Sequence, residues 1–117
     1  MAAARVVVLA DDLIWSTRLV DQVRSTGAQP IAARGLEGLE RELAAADAVI
    51  VDLTARAYDG VAAIAAAAKA GVPVLAVGQH DDHAIRKRAI AAGAQRVYAY
   101  RKLFEDGPAT LGAWLAR

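Results

Sequence analysis

The chain has no cysteine. That absence removes disulfides, thiolate nucleophiles and cysteine zinc sites together, and it fits a reducing, cytoplasmic setting. No hydrophobic run is long enough to span a bilayer. Val6–Ala10 is halted by Asp11 and Asp12, and the tract from Val61 to Val77 is broken by Lys69, Gly71 and Pro73. No charge dominates, since fourteen Lys and Arg face thirteen Asp and Glu for a net +1. A global field for nucleic acid is therefore missing. Also missing are a glycine-rich phosphate loop, a Gly-x-Ser-x-Gly elbow and a zincin histidine pair.

What is present is a strongly alternating pattern over 117 residues that are 56% hydrophobic, a length suited to one domain, residues 1–117. β-branched or apolar runs at Val6–Leu9, Pro30–Ala33, Ala48–Val51, Pro73–Val77 and Val97–Tyr100 read as strands. Between them lie helical patterns over Leu13–Thr26, Leu36–Ala44, Gly60–Ala70 and Asp82–Ala92. A last helix begins at Phe104 or Asp106 and runs to Ala116. Gly27, Gly71 and Gly93 stand where helices end. Five successive βα units with near-continuous apolar strands predict an α/β fold. It is a doubly wound, flavodoxin-like (βα)5 parallel sheet of strand order 2-1-3-4-5.

In such sheets ligands sit beyond the carboxyl ends of the strands, near the switch in strand order. Strand 1 leads into Asp11-Asp12 and strand 3 into Asp52, so three carboxylates are expected at one rim. Each alone reads as a helix cap. Together they repel, by roughly 4 kcal/mol for two charges about 4 Å apart at an effective dielectric of about 20. A cation relieves that repulsion, and an all-oxygen donor set suits Mg2+.

Val8-Leu9-Ala10-Asp11-Asp12, Val49-Ile50-Val51-Asp52 with Asp59-Gly60 following, Pro73–Val77 and Ala91-Ala92-Gly93-Ala94 resemble the receiver domain of two-component response regulators over the whole chain. The resemblance implies that Asp11 and Asp12 help hold Mg2+. It also implies that Asp52 accepts a phosphoryl group and that Thr54 supplies a backbone carbonyl to the metal. The family's strand-4 Thr or Ser is replaced by Gly78. Its strand-5 Lys falls on Tyr100, or on Arg101 or Lys102 if the count is shifted, and no proline follows either. Tyr98 or Tyr100 matches the aromatic that changes rotamer on activation.

The resemblance predicts a stand-alone signalling domain in a phosphorelay, not an enzyme, signalling by protein contact. Its rival is a pseudo-receiver, a binding or scaffold module that takes no phosphate. A flavin- or nucleotide-binding module is disfavoured by the lack of a Gly- or Ser-rich loop after strand 1. The implied partners are a histidine kinase or phosphotransfer protein and a downstream protein docking on helix 4, strand 5 and helix 5. A second copy in a homodimer is a further option, and neither nucleic acid nor a membrane is expected. His80 and His83 read as solvated loop residues, Arg86-Lys87-Arg88 as an exposed helix face, and Trp15 and Trp114 as packing residues.

Overall fold

The computed structural model describes residues 3–116. Five parallel strands form one sheet: β1 (Arg5–Leu9), β2 (Gln29–Ala33), β3 (Ala48–Asp52), β4 (Val74–Gly78) and β5 (Arg96–Ala99). Their order is β2-β1-β3-β4-β5, as the alternating pattern predicted. The helices are α1 (Leu13–Ser25), α2 (Leu36–Glu42), α3 (Gly60–Lys69), α4 (His83–Ala92) and α5 (Tyr100–Leu115), with a short 3-10 turn at Leu43–Ala45. None of the helices in the described residues is long and apolar enough to cross a membrane.

The strands are runs of Val, Ile, Leu and Ala because both faces of the sheet are covered. Side chains alternate between faces. Val6, Val8, Ile50, Leu75 and Val77 pack with Leu19, Val23, Leu103, Leu111 and Trp114 of α1 and α5. Val7, Leu9, Val49, Val51 and Ala76 pack with Leu39, Ala63, Ile64, Ala67 and Ala89 of α2, α3 and α4. The alanine-rich α3 lets its neighbour come close. Gly93, which ends α4 at φ 120°, could not carry a Cβ, since it would lie 2.6 Å from the Ala68 Cβ.

One boundary departs from the sequence reading in a way that matters. The last helix starts at Tyr100, not at Phe104 or Asp106, and β5 ends at Ala99. Asp106 (φ −149°, ψ 34°) breaks α5 into two segments. Pro108 falls in the first turn of the second segment, where its missing N–H costs nothing. The Asp106-Gly107-Pro108 signal is thus a break inside α5 and not its beginning. At the break the Gln22 side-chain amide donates to the Leu103 carbonyl (2.7 Å) and ties α1 to α5. Tyr100 consequently leads a helix directly off the carboxyl end of β5.

Candidate functional site

Asp52 closes β3 and is 1% exposed. Burying a carboxylate is costly unless donors meet it. One of its oxygens, Oδ1, accepts from the Thr54 backbone N–H (2.9 Å) and the Thr54 hydroxyl (2.9 Å). The Tyr100 hydroxyl donates to the same oxygen and also meets the Thr54 hydroxyl. The other oxygen, Oδ2, is buried without a hydrogen-bond partner among the described residues. Thr54 therefore turns both its N–H and its hydroxyl onto Asp52.

Tyr100 is held from behind by Trp15, whose ring centroid lies 4.3 Å away at an interplanar angle of 38°. Trp15 is in the first turn of α1, so α1, β3 and α5 meet around one phenol. Burial, followed by the hydrogen bond to the Asp52 carboxylate, pushes the Tyr100 hydroxyl well above the ordinary tyrosine range. It remains a proton donor. A second phenol, Tyr58, donates to the Leu9 and Asp52 carbonyls (2.8 and 2.7 Å) and pins the ends of β1 and β3 together. Burial, then the Asp52 charge, raises its value too.

The three rim carboxylates are not gathered into a ligand set. Among the described residues no three of His, Cys, Asp and Glu are arranged to hold a metal. Asp12 is the N-cap of α1, its Oδ1 accepting from the Ile14 and Trp15 N–H groups (2.9 and 3.0 Å). Asp11 turns to the loop after β3, its Oδ2 accepting from the Arg56 and Ala57 N–H groups (2.8 and 2.9 Å). The Ala57 and then the Arg56 N–H hold the Asp11 carboxyl below its usual range. The expected mutual repulsion is thus met by backbone dipoles. The arrangement does not fit a three-carboxylate Mg2+ site. Among the described residues, Asp52 Oδ2 is the one buried carboxylate oxygen without a hydrogen-bond partner.

The other candidates separate. Gly78 ends β4 beside the site, and a Cβ there would meet the Leu53 side chain at 3.3 Å. A hollow of about 210 Å³ lined by Gly78, His80, Ala99, Tyr100 and Arg101 opens next to it. Arg101 pairs with Glu105 (3.0 Å) and Lys102 with Asp106 (3.9 Å), both along the exposed side of α5. Of the three residues considered for the strand-5 lysine, only Tyr100 bonds to Asp52. Tyr98 packs on the α1–α5 side of the sheet. His80 and His83 are exposed.

Sequence reasoning missed Tyr58; it read Trp15 as a packing residue, and Trp15 packs against Tyr100. The signal for Trp15 was its place three residues after Asp12, in the helix turn that faces the rim. Tyr58 carried no periodic signal, being a lone phenol in the irregular loop between β3 and α3. Chemically, Asp52 is a carboxylate with one oxygen saturated and the other shut in. An in-line attack needs an oxygen open to the incoming phosphorus. Charge on a phosphoryl group needs cationic or hydrogen-bonding neighbours, and the side chain that meets Asp52 from α5 is a neutral phenol.

No protein-family model and no curated protein matches the sequence. Solved structures do. The beryllofluoride-activated DrrB receiver domain aligns with TM-score 0.85 and 15% identity, over 98% of this chain and 99% of that one. A two-component response regulator from Clostridium difficile aligns with TM-score 0.84 and 14% identity, over 97% of each chain. A CheY-like receiver domain protein from Methanospirillum hungatei gives 0.79 and 15%, over 98% of this chain and 95% of that one. The chain therefore has the fold of the response-regulator receiver domain.

Proposed function

We propose that this chain is a receiver-fold signalling module that works by protein contact without needing a phosphoryl group on Asp52. The observation that carries this reading is the Tyr100 hydroxyl on Asp52 Oδ1, backed by the Trp15 ring. Counted without a gap, the phenol falls where the resembled family has its lysine, and it joins α5 to β3. Gly78 contributes no hydroxyl, and Arg101 and Lys102 lie on the exposed side of α5 beside Glu105 and Asp106, with no bond to Asp52. A switch moves only by the differential binding of its ligand to two states. Here the ligand's contacts are replaced by contacts within the chain, so the face made by α4, β5 and α5 is held in one form. A cytoplasmic setting and a protein partner, not a substrate, fit this role.

The rival reading is phosphoryl acceptance on Asp52 with Mg2+, and the unpartnered Asp52 Oδ2 favours it. Intact mass after treatment with acetyl phosphate and Mg2+ separates the two. The sealed-site reading expects no added phosphoryl mass. A one-phosphoryl gain that disappears in Asp52→Asn would establish the rival.

A further inference from the structure

The two segments of α5 are held unequally. Beyond the break, Gly107, Thr110, Leu111 and Trp114 are buried. Before it, only Leu103 is fully buried, while Arg101, Lys102, Phe104 and Glu105 are exposed. At its start this short segment is fixed by Tyr100, between the Asp52 carboxylate and the Trp15 ring. Further on, the Arg18 guanidinium lies over the Phe104 ring (5.0 Å), and the Gln22 amide donates to the Leu103 carbonyl (2.7 Å). Trp15, Arg18 and Gln22 are spaced three and four apart and so form one stripe of α1. The turn between the segments is short of backbone bonds. Asp106 is non-helical, and Pro108 has no N–H for the Phe104 carbonyl that it would meet in an unbroken helix. The Gln22 amide fills that turn, and a Cβ on Gly107 would overlap it. Its own oxygen, Oε1, is buried without a hydrogen-bond partner among the described residues, and water would meet it once the segment moved.

We infer that residues 100–105 form a hinged flap over Asp52, with Asp106 and Gly107 as its hinge and Gln22 as its latch. In the closed form Tyr100 covers Asp52. In the minor, open form the segment leaves the α1 stripe as a unit, Leu103 quits its seat and Asp52 loses the phenol. A hinge is a few residues at an element's end that absorb a backbone change, and here the helix is already broken at that point. Gln22 does not touch Asp52. It is a positioning residue that acts on the rim through the segment carrying Leu103 and Tyr100. The inference deepens the contact-signalling reading above by naming what regulates its closed site, and it rests on that reading for one point: the closed form is the resting one.

The chain has no cysteine, so one thiol placed on each segment reports its opening. The test is labelling of the full-chain variants Leu103→Cys and Leu111→Cys by a chromogenic aromatic disulfide. Both positions are fully buried. The thiol at position 103 should react about tenfold faster than the one at 111, at a rate that low urea leaves unchanged, because local opening exposes little surface. Two further changes release the latch in different ways. Gln22→Ala removes the amide, and Gly107→Ala expels it, since the end of the Gln22 side chain yields to a new Cβ. Each should speed labelling at 103 by about fivefold and leave 111 as it was. Equal rates at 103 and 111, or a steep urea dependence at 103, would overturn the flap, because α5 would then open only with the whole domain. A rate at 103 that neither latch variant moves would overturn it as well. Intact mass after acetyl phosphate and Mg2+ keeps the two readings apart. A phosphoryl gain by the native chain defeats the phosphoryl-independent reading and leaves unequal labelling standing. Equal labelling without that gain defeats the flap alone.

Discussion

The rim of the sheet has two halves that solve opposite problems. On the β1–β3 half, three carboxylates need donors, and nearby backbone supplies most of them. Asp12 is met two and three residues on, Asp52 two residues on, and Asp11 from the loop after β3. On the β4–β5 half there is little to satisfy. Gly78 has no side chain, and Tyr100 reaches across the rim to finish what the first half leaves undone on Asp52. The β1–β3 half therefore uses its carboxylates as caps and loop anchors. The β4–β5 half supplies the closure through Tyr100. Shared residue types at a site are thus compatible with a different use of their lone pairs.

The strongest way to break this contrast is to rebuild the second half. On the proposed reading, the double variant Gly78→Thr, Tyr100→Lys should gain a phosphoryl group on Asp52 with acetyl phosphate and Mg2+ under conditions in which the native chain gains none. The new hydroxyl and ammonium supply charge-assisted contacts that the native chain lacks. A threonine in place of Gly78 must push the Leu53 side chain, which a Cβ meets at 3.3 Å, aside by a small fraction of a bond length. If the folded double variant still takes no phosphoryl group, the closure does not depend on Tyr100.

Next in size is the stability held by the phenol. Tyr100→Phe keeps the ring against Trp15 but removes one of three donors to a buried carboxylate oxygen. A hydrogen bond to a charged group contributes about 1.5–3 kcal/mol. With two donors remaining, a loss near the lower end, about 1.5 kcal/mol, is expected in urea unfolding. Tyr100→Ala also removes the ring contact and should cost about 3 kcal/mol. A Phe variant as stable as the native chain would mean that the hydroxyl contributes nothing to closing the site. On the other half, Asp12→Ala should cost about 1 kcal/mol as the loss of an N-cap. A rise in stability there would instead restore the picture of carboxylates straining against each other.

The fold was legible because its signals are local and repetitive. Short apolar runs, glycines such as Gly93 just past helix ends and aspartates such as Asp59 and Asp82 just before helix starts each act within a few residues. Parallel βα order then follows from few alternatives. The positions of Asp11, Asp12 and Asp52 at one rim were legible for the same reason. Asp12 turns to its own helix, as a cap does, but which way Asp11 and Asp52 turn was not legible, because distant donors take part. Asp11 is met 45 and 46 residues away and Asp52 by a phenol 48 residues away. The misplaced start of α5 had a similar origin. Asp106-Gly107-Pro108 carries the chemistry of a helix start, and only the packing of Leu103 against the sheet shows that helix already precedes it.

The smallest effect concerns the pH dependence that Asp11 confers. The N–H groups of Ala57 and Arg56 lower its folded-state value beneath the ordinary aspartate value of about 3.9. A carboxylate depressed in the folded state contributes stability that is fully present above its unfolded value. That contribution is lost as pH falls through the lower, folded value. Asp11→Asn keeps an acceptor for both N–H groups but no charge. The variant should therefore be less stable than the native chain at neutral pH, with the gap closing as the solution is acidified from about pH 5 to below the folded value. The side chain sits near solvent, so the gap is small and best read as a difference between two thermal-melting series over pH. A gap of opposite sign at neutral pH would mean that repulsion from Asp12 and Asp52 outweighs the two backbone donors. The first half of the rim would then be a strained cluster awaiting a cation, as its sequence alone predicted.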